Sequence, residues 1–201
     1  MQPTQILKNE HRVIEQVLAS VQGIVDQAVR TGKLDGASSC QALDFFQHFA
    51  DGCHHGKEEK HLFPLMETKG FSPHHGPTSL MRQEHETGRQ LLHAMAGEIE
   101  QAETGNAAAL ERFCRHANAY IQLLREHIFK EDHRLFPMAQ EVLTVRDQQR
   151  LAESFATVER QDMGPGAHEK YLAIANELAD RFQVPRAVVE PAEHVCCSHH
   201  G

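Results

Sequence analysis

The sequence contains no block of Lys or Arg longer than two residues, and 28 acidic residues against 20 basic ones give a formal charge of −8. A chain without a basic stripe lacks the footprint that neutralises a phosphate backbone, so nucleic acid is excluded as the expected partner. No stretch approaches the roughly 18 uninterrupted apolar residues of a membrane span, and the opening MQPTQILKNEH has no basic segment leading into an apolar one. A cytoplasmic location without membrane attachment is the expectation. Cysteine is sparse and odd in number: Cys40, Cys53, Cys114, Cys196 and Cys197 show no framework spacing, which excludes a disulfide scaffold and points to a reducing compartment. Histidine, by contrast, is abundant, with 16 in 201 residues, and that surplus needs a physical explanation.

Hydrophobic periodicity reads as six helices. The first runs from Thr4 as cap to about Arg30, before Gly32, with Leu7, Ile14, Leu18, Val21 and Val25 in its apolar seam and His11 at one seam position. The second starts at Ser38 or Ser39 and reaches Thr68, with Leu43, Phe46, Ala50 and Leu65 on the face that also carries His54 and Glu58. After GFSPHHGPTS, whose prolines and glycines mark a loop, Met81, Leu92, Met95, Ile99 and Ala102 line a third helix that carries His85. Asn106 caps a fourth, whose seam runs from Leu110 through Tyr120, Leu124, His127, Glu131 and Leu135 to Met138. Two shorter helices are expected over about 147–162 and 167–182, on either side of MGPG. Short connections force neighbouring helices to run oppositely. The expected fold is therefore all-α: an antiparallel up-down four-helix bundle over 1–143, a helical extension over 144–183 packed on it, and an irregular Cys/His-containing tail over 184–201.

Two passages are related, HHGKEEKHLFP from His54 to Pro64 and HIFKEDHRLFP from His127 to Pro137. Aligned on Leu-Phe-Pro, they pair His54 with His127 and Glu58 with Glu131 at an offset of 73, while LKNEH and MRQEH pair His11 with His85 at an offset of 74. An internal duplication explains both offsets. His-x-x-x-Glu places the two side chains one turn apart on a single helix face, and one histidine from each remaining helix completes a layer of donors inside a bundle. A single inward histidine is more often a hydrogen-bonded core residue than a ligand. Four imidazoles and two carboxylates in one layer are different, because without a cation each buried charge would cost several kcal/mol of desolvation. The candidate ligands are thus His11, His54, Glu58, His85, His127 and Glu131. Six donors suit two metal ions, with both carboxylates able to bridge and an open position for a small exogenous ligand; bridging carboxylates beside imidazoles favour an iron pair over a single zinc.

The series His, His-x-x-x-Glu, His, His-x-x-x-Glu, with Leu-Phe-Pro after each glutamate, resembles the hemerythrin HHE cation-binding family over about residues 4–143. The resemblance implies a four-helix bundle holding two non-haem iron ions, bridged by carboxylates and by an oxo or hydroxo group, on the six residues named above. It implies a function in binding or processing dioxygen, nitric oxide or hydrogen peroxide. A di-iron oxidoreductase of the peroxidase type and an iron donor in iron-sulfur centre repair are the alternatives. The chain departs from the invertebrate oxygen-carrier pattern in two places: Arg89 stands four residues after His85, where the carriers have a second histidine, and Glu131 stands where they have aspartate. One imidazole fewer implies a more open site.

Three more residues bear on the site. His55, beside His54, reads either as an extra ligand from the helix edge or, in the ordinary case, as a supporting or exposed residue, since its register has no counterpart in the repeat. Tyr120, seven residues before His127 on the same seam, either approaches the metals or packs in the core, and His168 either reaches the site or caps its own helix. The tail residues Cys196, Cys197, His199 and His200 could carry a metal ion, although adjacent cysteines make a poor closed site.

Overall fold

The computed structural model describes residues 2–162, 164 and 166–189, and every regular element among them is helical. Helix α1 spans Pro3–Thr31. It begins before the expected Thr4 because Pro3 fills the first turn, where a missing N–H is no loss, and it ends in a left-handed Gly32 (φ 72°) whose N–H reaches Ala28. Helix α2 covers Gly36–Phe45 and is capped by Asp35, which accepts from the Ser38 N–H, so the cap lies upstream of the two serines expected to provide it. The chain then continues as π-helical turns over Phe46–His55 and Glu58–Leu62 before α3, Phe63–Thr68. The third predicted helix divides at Gly97 into α4, Pro77–Ala96, and α5, Ile99–Glu103. Helix α6, Ala107–Lys130, is capped by Asn106 as expected and passes through a π turn, Glu131–Leu135, into α7, Phe136–Val142. Helix α8, Val145–Thr157, opens with a reciprocal Thr144–Asp147 capping box, and α9 spans Ala167–Phe182.

The duplication extends to the backbone. In each repeat a π turn starts at the glutamate: the Phe63 N–H donates to the Glu58 carbonyl and the Phe136 N–H to the Glu131 carbonyl, five residues back. Pro64 or Pro137 follows, and a proline can neither donate to the carbonyl four residues earlier nor tolerate it at close range, so a widened turn accommodates the break. The extra residue rotates what comes after it. Leu65 and Met138, both expected on the inward seam, are half-buried and 40% exposed, while Met66 and Ala139, one residue later in each repeat, are buried.

The buried apolar side chains form two clusters. One contains Val17, Leu18, Val21, Phe46, Phe49, Leu92, Phe113, Tyr120 and Leu124 among others. The other is built around Leu7, Leu62, Phe63, Met66, Met81, Leu135, Phe136 and Phe155. Along the chain, His11, His85, the run from His54 to Glu58, and Glu131 occupy sequence positions between residues of one cluster and residues of the other, and His127 sits one turn before Glu131 beside Ile128 of the first. A polar layer is thereby enclosed by apolar cores on both sides.

Helix α4 packs along α6, and α1 packs against α6, α8 and α9. Buried Gln16 ties the C-terminal residues to α1: its amide donates to the Ala175 carbonyl at 2.8 Å and its oxygen accepts from the Ala187 N–H at 2.6 Å. Gln16→Ala is expected to destabilise the protein by about 1–3 kcal/mol through the orphaned Ala187 N–H. Limited proteolysis should then cut near residues 183–189 faster than in the wild type; an unchanged cleavage rate would show that apolar contacts alone hold α9.

Candidate metal centre

His11 comes from α1, His54 and His55 from the longer π stretch, Glu58 and Glu131 from the first residues of the two matching π turns, His85 from α4 and His127 from α6; all seven are buried. Their donor atoms fall into two groups. One consists of His11, His54, Glu58 and Glu131, the other of His55, Glu58, His85 and His127, with all donors within 4.8 Å of one another in each. Glu58 belongs to both: Oε1 lies 3.7 Å from His54 Nε2 and Oε2 lies 3.5 Å from His85 Nε2. Glu131 Oε2 also faces both ways, 3.2 Å from Nε2 of His11 and 3.2 Å from Nε2 of His127.

Five carboxylates orient the five imidazoles from outside. Nδ1 of His11 contacts Asp132 at 2.7 Å, His54 contacts Glu10 at 2.9 Å, His55 contacts Asp51 at 3.2 Å, His85 contacts Glu59 at 2.6 Å and His127 contacts Glu84 at 2.9 Å. Each carboxylate accepts from Nδ1–H, which leaves the Nε2 lone pair pointing inward, the tautomer a metal ligand requires. Apart from His55, this outer layer repeats with the chain: Glu10 matches Glu84, Glu59 matches Asp132, and Lys57 and Lys130 pair with Glu10 and Glu84 respectively. Phe136 stacks on His11 (5.5 Å, 11°) and Phe63 on His85 (5.9 Å, 21°), so the phenylalanine of each Leu-Phe-Pro covers one imidazole.

The sequence pattern of the Hemerythrin HHE cation binding domain matches residues 2–139. The chain belongs to this family. Two relatives, each an uncharacterized protein, one from Mycobacterium bovis and one from Mycobacterium tuberculosis, are 25% identical to it over 178 residues, which is 87% of this chain and 66% of theirs. The chain thus spans just under two thirds of the length of the curated relatives it matches. No solved structure matches it.

The donor set of this HHE domain fits a cation on its own geometry. Nε2 of His11 and His54, both oxygens of Glu58 and both oxygens of Glu131 are buried without a hydrogen-bond partner. These atoms converge, and with Nδ1 carrying the proton on each ring they are all lone-pair donors, so nothing but a positive charge satisfies them together. The protein alone must redistribute protons instead. Burial and the neighbouring Glu131 push the Glu58 carboxyl well above its ordinary range. Burial raises the Glu131 carboxyl too, but His127 and His11 outweigh it and hold the group low. His54 is pushed down to about 4 by burial and by His11, and His85 is pushed down by burial and by His55. His127, opposed by burial, is raised to about 9 by Glu131 and Glu84.

The structure gathers all six residues singled out from the repeat and places His55 beside them, buried rather than exposed. Its ring is buried and stacks on His85 with centroids 3.7 Å apart. The π-helical backbone narrows the angle between successive side chains, so His54 and His55 both face inward. His55 therefore stands with His85 and His127 in the second donor group. Tyr120 is in neither donor group; it packs edge-on against Phe46 at 4.9 Å. His168 is likewise outside both groups, tilted against Phe49, and lines a cavity of about 390 Å³ together with Glu10, Glu159 and Leu172. Cys196, Cys197, His199 and His200 lie outside the described residues. Sequence reasoning missed Glu10, Asp51, Glu59, Glu84, Arg89 and Asp132; the glutamate before the histidine in both LKNEH and MRQEH, and the second acid in KEE and KED, were the available signals for four of them. Among the described residues no helix is long and apolar enough to cross a membrane.

Proposed function

We propose that this HHE domain holds two iron ions, one in each donor group, bridged by Glu58 and Glu131, and that it binds or processes dioxygen, nitric oxide or hydrogen peroxide there. The observation that carries this reading is Glu58, the residue shared by both groups, with one oxygen turned toward each. His11 and His54 serve one ion and His55, His85 and His127 the other, so the ion with fewer imidazoles has room for a small ligand. The up-down four-helix bundle over 1–143, the extension over 144–183, the tail over 184–201 and a cytoplasmic location complete the proposal.

An iron pair, when bound, supplies reversible one-electron steps and a Lewis-acidic position for the small molecule. The chain's own residues orient the imidazoles and exclude water through the two apolar clusters. Glu159 contacts the Lys57 ammonium at 2.6 Å, Lys57 pairs with Glu10, and Glu10 accepts from His54 Nδ1, a continuous polar line from a half-exposed carboxylate to the site.

Metal analysis and optical spectra of anaerobically reduced protein, before and after oxygen, peroxide or nitric oxide, test the reading. About two irons per chain and a new ferric charge-transfer absorption are expected, and the oxidant consumed at catalytic protein concentration names the substrate. His55→Ala should weaken one of the two irons. Zinc alone, or no metal, would overturn the proposal.

A further inference from the structure

One guanidinium contacts the carboxylates behind two of the five imidazoles. Arg89 Nε donates to both Asp51 oxygens at 2.9 and 3.1 Å, and Nη2 donates to Glu59 Oε1 at 2.8 Å. The same oxygens serve the ligand layer: Asp51 Oδ1 accepts from His55 Nδ1 and Glu59 Oε1 from His85 Nδ1. His55 and His85 are the pair stacked 3.7 Å apart at 12°, so the two carboxylates that Arg89 contacts stand behind neighbouring rings.

The duplication isolates this cluster as an addition to one half. At the repeat offsets, Asp51 corresponds to Leu124, His55 to Ile128 and Arg89 to Glu15, so neither the extra imidazole nor its supports exist in the other half. Arg89 lies one turn after His85 on α4, within reach of the helix that carries His55. It is 36% exposed and also meets the exposed Glu86 at 3.5 Å, but its shorter contacts are to Asp51 and Glu59, both half-buried against the imidazole layer.

We propose that Arg89 is a positioning residue that, through Asp51 and Glu59, sets His55 and His85 as ligands and makes the two metal positions unequal. This rests on the two-metal reading given above. A planar fork with donors along two edges suits the task, since it holds both carboxylates in one rigid plane; an ammonium cannot.

The test is titration of metal-free protein with Co(II), together with proton NMR of the paramagnetically shifted imidazole N–H signals. The wild type should bind two ions and show five such signals, one for each Nδ1–H bonded to a carboxylate. Arg89→Ala should keep one ion at wild-type affinity, bind the other about 10–100-fold more weakly and lose the signals of His55 and His85 alone. Arg89→Lys should recover one of those two signals at most. Arg112→Ala, which removes an exposed arginine paired with Glu98, should change neither ion. A folded Arg89→Ala protein with two unchanged ions and all five signals overturns the proposal while leaving the two-metal reading intact. Equal weakening of both ions, or failure of both Arg89 variants to fold, also overturns it, because Arg89 would then be holding the helices rather than two histidines. A wild type that binds no second ion overturns the proposal and the reading together.

Discussion

Glu58→Gln is expected to abolish two-metal binding and, at the same time, to make the metal-free protein more stable than the wild type. Glu58 is common to both donor groups, so its loss should weaken both ions by more than about 100-fold, beyond the range seen for residues that only support a ligand. The stability gain has a separate origin. Burial and Glu131 raise the Glu58 carboxyl well above its ordinary value in the folded protein. A group raised on folding retains a proton that the unfolded chain gives up, so its folded state loses ground as pH rises above the ordinary carboxylate value. Glutamine has no proton to lose, and its amide can donate to Glu131. The variant should therefore match the wild type near pH 4 and exceed it by about 1–3 kcal/mol near pH 8 in metal-free unfolding experiments. A difference independent of pH, or a less stable variant at high pH, would show that Glu58 is not the strained group.

Lys57→Met should destabilise the protein by about 3–5 kcal/mol, whereas Lys130→Met, its counterpart in the repeat, should cost no more than about 1 kcal/mol. The two lysines make equivalent pairs, Lys57 with Glu10 and Lys130 with Glu84. Exposure separates them: the Lys57 side chain is 0% exposed and that of Lys130 31%. Glu10 is held down at about 2, burial being overcome by Lys57 and His54, so removing Lys57 leaves a buried carboxylate short of its main counter-charge. The nearby Cys53 thiol is pushed up to about 12 by burial and by Glu10 and stays neutral. Urea unfolding of both variants measures the contrast, and the double variant Lys57→Met with Glu10→Gln should regain most of the loss. Equal costs for the two lysines would mean that the buried pair is no stronger than a surface one.

The parts of this protein that could be read without coordinates are those encoded over one or two helical turns. His-x-x-x-Glu spacing, the paired His11 and His85, the cap at Asn106 and the span of α9 all depend on contacts three or four residues apart, which a sequence displays directly. Leu65 and Met138 were misplaced because ordinary helical periodicity was carried through Pro64 and Pro137, and the π turns before them advance the seam by one residue. The prolines were visible; the direction in which the backbone would absorb them was not.

By itself, then, the sequence determined an all-helical chain and a duplicated histidine and glutamate series whose members His11, His54, Glu58, His85, His127 and Glu131 converge in the fold. Only the tertiary structure decided that His55 joins them, that Asp51, Glu59 and Arg89 stand behind it and that Lys57 is buried where Lys130 is not. Those features pair residues up to tens of positions apart on separate helices, and they depend on local backbone pitch, interhelical distance and solvent access, quantities that emerge when the helices pack and that no window of sequence contains.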